Sequence, residues 1–313
     1  MNVLITSASR KVSLVKTFVQ AAALENGGNI IAVDVSPNAA ALYFADEFYI
    51  SPKGLGDDFV SFLGDICANE RIKLIIPTRD EELPVLAANR DAFFMLGAEI
   101  MIPSLATINL CQDKQAFLDF CTDNNFSVPA ILDPYAVLDF PVFVRNRTGK
   151  GSKSAFRCDS QLELDVLLKK LDAPIVQEYI DADEYTVDLY ATLTDGIVIS
   201  AIPRQRIRTF GGESFVGQTK KHWVIMDESV RLAQALGLRG HNTIQCFDHN
   251  GVIKFIEVNP RFGGGANLGF AAGVYTPDYL LQELAGKTIE PRIGEFTEEL
   301  TMLRYTEDYF IEP

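Results

Sequence analysis

Residues 256–265 read IEVNPRFGGG. An apolar run ends there in a carboxylate, an amide, a proline, an arginine and three glycines, so polar groups collect at the end of a predicted strand. Glu257 and Asn259 carry oxygen atoms that suit a hard divalent cation such as Mg²⁺. The alternative is a polar strand edge that faces solvent, with Asn259-Pro260 as an ordinary turn.

The preceding segment, NTIQCFDHNGVIKF (residues 242–255), predicts a strand that pairs with this one in a hairpin. We expect residues 249–251 to form a three-residue loop, with Gly251 left-handed in a G1 bulge. Asp248 then pairs with Val252.

This register puts Gln245 opposite Phe255. Because side chains alternate along a strand, Gln245, Phe255, Glu257 and Asn259 then share one face. A two-residue Asn-Gly turn would instead place Gln245 on the face opposite Glu257, and the sequence leaves both registers open.

Two further groups follow the strand. Arg261 offers a planar guanidinium that suits phosphate oxygens. Glycines 263–265 would let the backbone approach a ligand closely, and a plain glycine turn is the alternative.

The first hundred residues alternate strand-like and helix-like segments, such as NVLITS before KVSLVKTFVQAAALE, and DDFVSFLGDICAN before IKLIIP. This alternation predicts a parallel sheet with helices on both faces. The turn TSASRKVS has no glycine, so the dinucleotide fingerprint is missing and a nicotinamide enzyme is not expected. Asp34, at the end of the second strand, is best explained as a polar strand end rather than as a ribose ligand.

The 313-residue chain carries a formal net charge of −14, which argues against a general nucleic-acid partner. No apolar run approaches the ~20 residues that span a bilayer, and the N-terminus lacks the order of a secretory signal. We therefore expect a cytoplasmic protein with no membrane partner. The five cysteines form no C-x-x-C pair, which predicts buried apolar residues rather than disulfides or a zinc site.

Three middle segments carry further candidates. The loop RNRTGKGSKS (residues 145–154) places hydroxyl and lysine donors between glycines, which suits a lid over phosphates, although a solvated basic tip is the alternative. The strand PIVQEYI (residues 174–180) presents backbone groups that can read an adenine edge, with Glu184 beyond it for a ribose; a strand with an acidic end is the alternative. Residues 203–223 carry several Arg and Lys, which are not apportioned by sequence alone.

The ordered set DK (residues 113–114), VFVRNRTGKGSKS, VQEYIDADEYTVD, NTIQ and FIEVNPRFGGG resembles the ATP-grasp superfamily. The resemblance is strongest to single-unit members related to the large chain of carbamoyl-phosphate synthase, and it covers nearly the whole chain. It implies a fold of mixed α/β and α+β class. Residues 1–105 would form a parallel-sheet, Rossmann-like preATP-grasp domain, residues 106–182 the small ATP-grasp subdomain, and residues 183–313 the large subdomain with a C-terminal tail.

For the nucleotide, the resemblance implies that Lys114 and Arg145 contact ATP phosphates and that the loop carrying Lys150 and Ser152 closes over them. A lysine is usual at the position of Arg145, so the charge is kept while the hydrogen-bond geometry changes.

The same resemblance implies that adenine is held by Gln177 with backbone groups of Glu178 and Ile180. The ribose would be held by Glu184.

The metal and catalytic residues follow in the same way. The implied ligands of Mg²⁺ are Gln245, Glu257 and Asn259. The implied catalytic residues are Arg261, Lys153 and Arg206. Gln245 stands where many relatives carry a carboxylate, so one or two metal ions are expected, with Mn²⁺ as a suitable substitute.

The resemblance implies an ATP- and Mg²⁺-dependent carboxylate ligase, of carboxylate-amine type, that forms an acyl phosphate and releases ADP and phosphate. Its partners would be a small-molecule carboxylate and an amine, and a homodimer is compatible with this activity. One alternative is an ATP-binding regulatory subunit without turnover. Another is the ATP-using piece of a split carbamoyl-phosphate synthase, which would need a dimer or a partner chain.

Overall fold

The protein is described by a computed structural model over residues 1–25, 27–149 and 154–311. Its strands form a five-stranded, a three-stranded and a six-stranded sheet. The predicted mixture of an N-terminal parallel sheet and later antiparallel sheets is confirmed. The domain boundaries at residues 105 and 182 stay predictions.

The N-terminal sheet is parallel throughout, with the strand order β3-β2-β1-β4-β5. Its strands are β1 (Asn2–Ile5), β2 (Ile30–Asp34), β3 (Glu47–Ile50), β4 (Ile72–Ile76) and β5 (Glu99–Ile100). Its helices are α1 (Val12–Leu24), α2 (Asp57–Asn69), α3 (Leu83–Ala88) and α4 (Arg90–Met95), with 3-10 turns at Ala40–Phe44 and Asp80–Glu82. From β1 the chain builds outward in one direction through β2 and β3, and then in the other through β4 and β5. The loops after β1 and β4 therefore flank the topological switch point, where open α/β sheets bind ligands.

Two helices, α5 (Leu105–Gln112) and α6 (Lys114–Asp123), connect this sheet to the three-stranded one. That sheet is antiparallel, with the order β7-β6-β8. Its elements are β6 (Val142–Asn146), β7 (Ala155–Cys158), α7 (Gln161–Lys170) and β8 (Pro174–Glu178). Val142, Val144 and Leu164 form its small separate core.

The six-stranded antiparallel sheet has the order β13-β12-β9-β10-β11-β14. Its strands are β9 (Asp183–Ala191), β10 (Val198–Phe210), β11 (Glu213–Thr219), β12 (Gly240–His249), β13 (Val252–Asn259) and β14 (Thr301–Leu303). Helices α8 (Trp223–Leu236) and α9 (Asn267–Ala271) pack on this sheet, and α10 (Thr276–Leu284) packs on α1.

This sheet has one apolar and one polar face. Val187 and Ile244 pair directly and lie in the same buried cluster as Ile225 and Leu232 of α8. The alternate positions carry polar side chains. A single row of paired residues on this second face is formed by Arg204, Thr186, Gln245 and Glu257. Alternation thus separates a packing face from a polar face on the same strands.

The β12–β13 hairpin differs from the prediction at its turn. Asn250 and Gly251 both have positive φ, 55° and 84°, and His249 pairs with Val252. This is a two-residue Asn-Gly turn of the type I′ kind, so the predicted three-residue loop is wrong. The left-handed conformation expected at Gly251 is present.

A β-bulge then restores the predicted face. Cys246 pairs with Phe255 and Gln245 pairs with Glu257, which leaves Ile256 as the extra residue. The predicted pairing of Gln245 with Phe255 is therefore wrong, and Phe255 points into the core with no exposed surface. Gln245 and Glu257 nevertheless share one face as predicted, and Asn259 joins them opposite Thr243.

The five cysteines are free and buried, as the sequence predicted. Asp34 also has the predicted structural role, since its carboxylate accepts hydrogen bonds from the backbone N–H groups of Ser9 and Ser36 at 2.9 and 3.0 Å. Within the described part of the chain, no helix combines the length and apolar character that crossing a bilayer requires.

A buried ion pair joins β9 and β10. Arg204 donates from Nε and Nη2 to the Asp188 carboxylate at 2.6 and 2.9 Å, and the two side chains are 2% and 3% exposed. Burial acts to raise the pKa of Asp188, but the Arg204 charge and its hydrogen bonds, with His241 Nε2 nearby at 3.7 Å, outweigh it and lower the pKa to about 2. Because both side chains are almost fully removed from solvent, each charge depends on the other for its stabilisation.

We predict that Asp188→Asn destabilises the fold by about 3–5 kcal/mol, because it leaves the Arg204 charge buried and unpaired. Urea unfolding at neutral pH measures this. The pKa of Asp188 is about 2 in the folded chain and about 3.9 in an unfolded one. Its stabilisation is therefore fully present above pH ~4 and lost as the pH falls through about 2, so the difference in stability between the two proteins should shrink over this range. The control Asp159→Asn, in the exposed Arg157–Asp159 pair, should change little. Equal stability of Asp188→Asn and wild type at pH 7 would contradict the prediction.

Candidate functional site

The polar face of the six-stranded sheet gathers several of the predicted site residues. Gln245 Nε2 donates to Glu184 Oε1 at 3.2 Å, and Arg206 Nη1 donates to the same oxygen at 2.6 Å. Asn259 Nδ2 donates to Glu257 Oε1 at 3.2 Å. Burial raises the pKa of Glu184, and the nearby Glu257 charge adds to this against the opposing effect of Arg206. The residues assigned from sequence to the metal and to the ribose therefore form one connected polar cluster.

The oxygen donors of this cluster fit a hard divalent cation that keeps other ligands. Glu257 supplies the only carboxylate of the predicted trio, and Gln245 and Asn259 supply amide oxygens on the same face. Across the described residues there is no group of three or more His, Cys, Asp or Glu arranged to hold a metal. A single carboxylate leaves most of the charge of a divalent ion unbalanced, so such an ion would need anionic ligands such as phosphate oxygens.

Arg145 approaches this cluster from β6. Its side chain donates from Nη2 to the Ile256 carbonyl at 3.1 Å, and the residue is 4% exposed. The Nε atom is buried and has no hydrogen-bond partner among the described atoms. Burial lowers the pKa of Arg145, and the charge of Glu257 opposes that shift. A buried guanidinium with an unused donor beside a single carboxylate is suited to an anionic ligand.

Lys114 comes from the first turn of α6. Asp113 caps this helix by accepting hydrogen bonds from the backbone N–H groups of Gln115 and Ala116. The cap fixes Lys114 at the helix start, where its Nζ donates to the Gly149 carbonyl at 2.7 Å. Burial lowers the pKa of Lys114, and Glu257 is the largest opposing charge. The DK pair thus combines a helix cap with a cation directed to the cluster.

Arg206 provides a second guanidinium with an open donor. Its Nη1 and Nη2 are held by Glu184 and by the Gly212 carbonyl, whereas its buried Nε has no partner in the described structure. Among the other cations of residues 203–223, Arg204 pairs with Asp188, and Lys220 lies 3.3 Å from Glu299. Arg206 thus faces the cluster through its ion pair with Glu184.

Arg261 is fixed by a residue that sequence reasoning missed. Its Nε and Nη2 donate to the two carboxylate oxygens of Asp80, both at 2.7 Å. Nη2 also reaches Asn259 Oδ1 at 3.3 Å. Asp80 follows β4 of the N-terminal sheet, so this pair ties that sheet to the polar cluster. The only signal in the sequence was an acidic run, RDEE, after a predicted strand.

The segment assigned to adenine lies along β8. Gln177 is 1% exposed, and its Nε2 donates to the Pro129 carbonyl at 3.2 Å. The backbone N–H of Glu178 donates to the Ala130 carbonyl at 2.9 Å. These bonds anchor the neighbouring segment, and the adenine contacts predicted for Gln177, Glu178 and Ile180 stay predictions.

Three predicted residues, Lys150, Ser152 and Lys153, lie outside the described residues. Their roles at the phosphates stay predictions from the sequence.

The glycine run makes room for the protein's own side chains. A Cβ atom on Gly263 would lie 2.7 Å from Thr243 Oγ1, and one on Gly265 would lie 2.5 Å from Arg204 Nη1. The close approach expected at these glycines is therefore made to strand residues of the polar face. It brings the turn down onto the buried Arg204 pair and holds Arg261 close to the sheet, since Thr243 donates to the Arg261 carbonyl at 3.1 Å.

Two family models match the chain. The one described as PylC-like, N-terminal domain matches residues 3–101, and the one described as ATP-grasp in the biosynthetic pathway with Ter operon matches residues 170–307. The resemblance to the ATP-grasp superfamily is confirmed.

Solved structures share the fold over nearly the whole chain. The biotin carboxylase domain of Hydrogenobacter thermophilus 2-oxoglutarate carboxylase gives a TM-score of 0.74 at 14% identity, covering 96% of this chain and 73% of that chain. Staphylococcus aureus N5-carboxyaminoimidazole synthetase gives 0.76 at 14% identity, covering 97% and 82%. Bacillus licheniformis L-amino acid ligase gives 0.71 at 16% identity, covering 93% and 77%. At these identities the likeness establishes the fold.

We predict that Gly265→Ala destabilises the protein by about 1–3 kcal/mol, because the added Cβ must displace a fully buried arginine. The matched control is Gly64→Ala in the interior of α2, where the nearest atom to a new Cβ is Leu96 Cδ1 at 3.7 Å. That change should stabilise the helix by up to ~1 kcal/mol. Urea unfolding of both variants measures the difference, and the same sign for the two would refute the packing argument.

Proposed function

We propose that this ATP-grasp protein is an ATP- and Mg²⁺-dependent carboxylate ligase of the carboxylate-amine type. One observation carries the proposal. Two buried guanidiniums, Arg145 and Arg206, each have an Nε with no partner among the described residues, beside a cluster whose only predicted metal-ligating carboxylate is Glu257. Such an arrangement is incomplete until an anion and a cation bind together, and a metal-bound nucleotide triphosphate supplies both.

Each residue then has a defined role. Gln245, Glu257 and Asn259 would hold Mg²⁺, which when bound neutralises charge on the nucleotide phosphates. Lys114, Arg145 and Arg206 would bind and orient phosphate oxygens, and Lys150, Ser152 and Lys153 are proposed from the sequence to cover them. Arg261, held in one orientation by Asp80, would bind the transferred phosphate.

The proposed reaction has two steps. An oxygen of the substrate carboxylate attacks the γ-phosphorus and the bond from that phosphorus to the β-phosphate oxygen breaks. ADP departs, and the substrate is now an acyl phosphate. An amine nitrogen then attacks the acyl carbon, phosphate leaves with the C–O bonding pair, and the nitrogen loses a proton. Positioning and charge neutralisation account for catalysis of the first step, so no covalent enzyme intermediate is needed.

The structural relatives support this proposal by what they bind or do. The Hydrogenobacter domain is a dimer in complex with MgADP, ADP and bicarbonate, and the Staphylococcus enzyme is complexed with ADP. The Bacillus enzyme is an L-amino acid ligase. We therefore propose a small carboxylate and an amine as the substrates of this chain. We also propose that it forms a homodimer.

We predict that Mg-ATP raises the free energy of unfolding by about 2.7 kcal/mol at a hundredfold excess over its Kd, because only the folded chain binds it. A thermal-shift series with Mg-ATP, Mg-GTP and no nucleotide measures this. The same series on Arg145→Met should show a smaller shift, since a buried phosphate donor is lost. The absence of any shift with saturating Mg-ATP would remove the nucleotide-binding proposal.

We further predict that Glu257→Gln folds normally but loses turnover by 100-fold or more, because the charge that balances Mg²⁺ is removed while the shape is kept. ADP release against a library of carboxylates and amines first identifies the substrate pair. The loss should then fall mainly on kcat rather than on nucleotide affinity, with circular dichroism confirming the fold. The control is Glu47→Gln on the exposed strand β3.

Two outcomes would count against this assignment. Wild-type turnover in a folded Glu257→Gln variant would show that Glu257 is an ordinary strand-end carboxylate. Nucleotide binding by the wild type with no ADP release for any substrate pair would favour the regulatory-subunit alternative.

A further inference from the structure

The switch point of the N-terminal sheet faces the polar cluster and is not used by the proposed nucleotide site. The loop after β1 carries Lys11, the residue that precedes α1, and the loop after β4 carries Arg79 and Asp80. Asp80 binds Arg261, so the switch point is joined directly to the end of β13. Ligands of open parallel sheets bind in this position, outside the carboxyl ends of the strands.

The loop after β1 has an unusual conformation and is bonded to the loop after β4. Ser7 and Ser9, neither of which is glycine, have φ values of 50° and 51°. The buried Glu82 carboxylate accepts hydrogen bonds from the backbone N–H of Thr78 at 2.7 Å and of Arg79 at 2.9 Å, and from Ser7 Oγ at 2.9 Å. Strained residues held by a buried network are typical of binding and catalytic sites.

The carboxylates near this point are already engaged. Glu82 is occupied by the three donors that join the loops, and Asp34 accepts from the backbone of Ser9 and Ser36. Asp80 is occupied by Arg261 through both oxygens. None of them is within ion-pair distance of Lys11 among the described residues.

Lys11 is therefore a partly buried cation with no anionic partner among residues 1–25, 27–149 and 154–311. Its Nζ makes a hydrogen bond of 3.3 Å to the Ser7 carbonyl. Burial lowers its pKa to about 8, and the neighbouring charge of Arg261 contributes to that shift, followed by opposing effects of Glu82 and Asp34. Arg79 adds a further positive charge nearby. An anion placed here would relieve both the lost hydration of Lys11 and its repulsion from Arg261.

We propose that Lys11 binds an anionic group, a carboxylate or a phosphate, of a substrate other than ATP, at a point remote from the carboxylate that is phosphorylated. The inference rests on the proposed ligase function and narrows its substrate class. The charges that act most strongly on Lys11 come from the switch point and Arg261, whereas Lys114 and Arg145 respond to Glu257. Lys11 contacts the loop after β1, whereas the proposed metal ligands lie on β12 and β13. Arg261 contacts both Asp80 of the switch point and Asn259 of the polar cluster, so the Lys11 position and the polar cluster are separate places joined through Arg261.

This separation makes the substrate at least bifunctional. One of its groups reacts at the polar cluster, and a second, anionic group is held at the switch point. An amino acid bound through its α-carboxylate meets this description, and so does an amine or carboxylate that carries a phosphate ester. Binding energy from such a remote group can orient the reacting one.

A binding experiment tests the site without relying on turnover. Inorganic phosphate and acetate are titrated separately into the full chain with saturating Mg-ADP, for wild type, Lys11→Gln, Lys11→Arg and the control Lys73→Gln. Lys73 lies on β4 and is exposed, at the opposite end of the strand from the switch point. Stabilisation by one anion should be present in wild type and Lys73→Gln, largely kept in Lys11→Arg, and lost in Lys11→Gln. Binding of phosphate would indicate that the substrate carries a phosphate group at this position, and binding of acetate would indicate a carboxylate.

Kinetics with the substrate pair identified by ADP release provide the second readout. Lys11→Gln should raise the KM of the anion-bearing substrate about tenfold or more, the effect of losing one charged hydrogen bond, and leave the KM of ATP unchanged. With wild type, an analogue whose anion is amidated or dephosphorylated should show the same rise in KM as Lys11→Gln does with the normal substrate. With Lys11→Gln, this analogue should show no further rise in KM.

Several results would overturn the proposal. These are equal anion binding by wild type and Lys11→Gln, no binding of either anion by wild type, or a preferred substrate pair without a second anionic group. The proposed function fails differently, because loss of the Mg-ATP shift would appear in wild type and Lys11→Gln alike. Circular dichroism of Lys11→Gln confirms folding, and Lys11→Arg supplies the charge-preserving comparison.

Discussion

The site depends on one extra residue in β13. Because side chains alternate along a strand, a one-residue slip moves every later side chain to the other face. The Asn250-Gly251 turn alone would place Glu257 away from Gln245, and the bulge at Ile256 brings the two opposite each other. The bulge also serves Arg145, whose Nη2 donates to the Ile256 carbonyl. One local irregularity therefore aligns the proposed metal ligands and positions a proposed phosphate donor.

The sequence predicted the shared face of Gln245, Glu257 and Asn259, but by a different backbone path. One extra residue shifts the register by the same amount whether it lies in the loop or in a bulge. A three-residue loop and a two-residue turn followed by a bulge therefore place Gln245 and Glu257 on the same face. The parallel sheet and the buried cysteines were predictable because burial and periodicity are local signals. The Arg261–Asp80 pair could not be predicted, because the two residues are 181 positions apart in the chain. The local sequence around one does not indicate the other as its partner.

The buried Arg204–Asp188 pair explains features that looked like ligand chemistry in the sequence. Arg204 lies in the same row as Gln245 and Glu257, yet both its Nε and Nη2 are used by Asp188. Gly265 passes so close to Arg204 that a Cβ would clash with it. A glycine run after a strand and an arginine near a site are therefore compatible with packing as well as with binding. Arg206 differs from Arg204 in that its Nε has no partner in the part of the chain that the structure describes.

The proposed ligands are anions, and the chain itself has a net charge of −14. Long-range repulsion is limited, because charges beyond about 8–10 Å are screened at physiological ionic strength. What matters is the local arrangement, in which Lys11, Lys114 and Arg145 are each desolvated so that burial lowers their pKa. Desolvated cations are costly to the folded chain and bind anions more strongly than exposed ones do. The protein thus places partly buried cations both beside the polar cluster and at the switch point, and Arg261 contacts Asn259 of the first and Asp80 of the second. A metal-bound nucleotide and a second anionic substrate are the ligands that we propose for these two groups of cations.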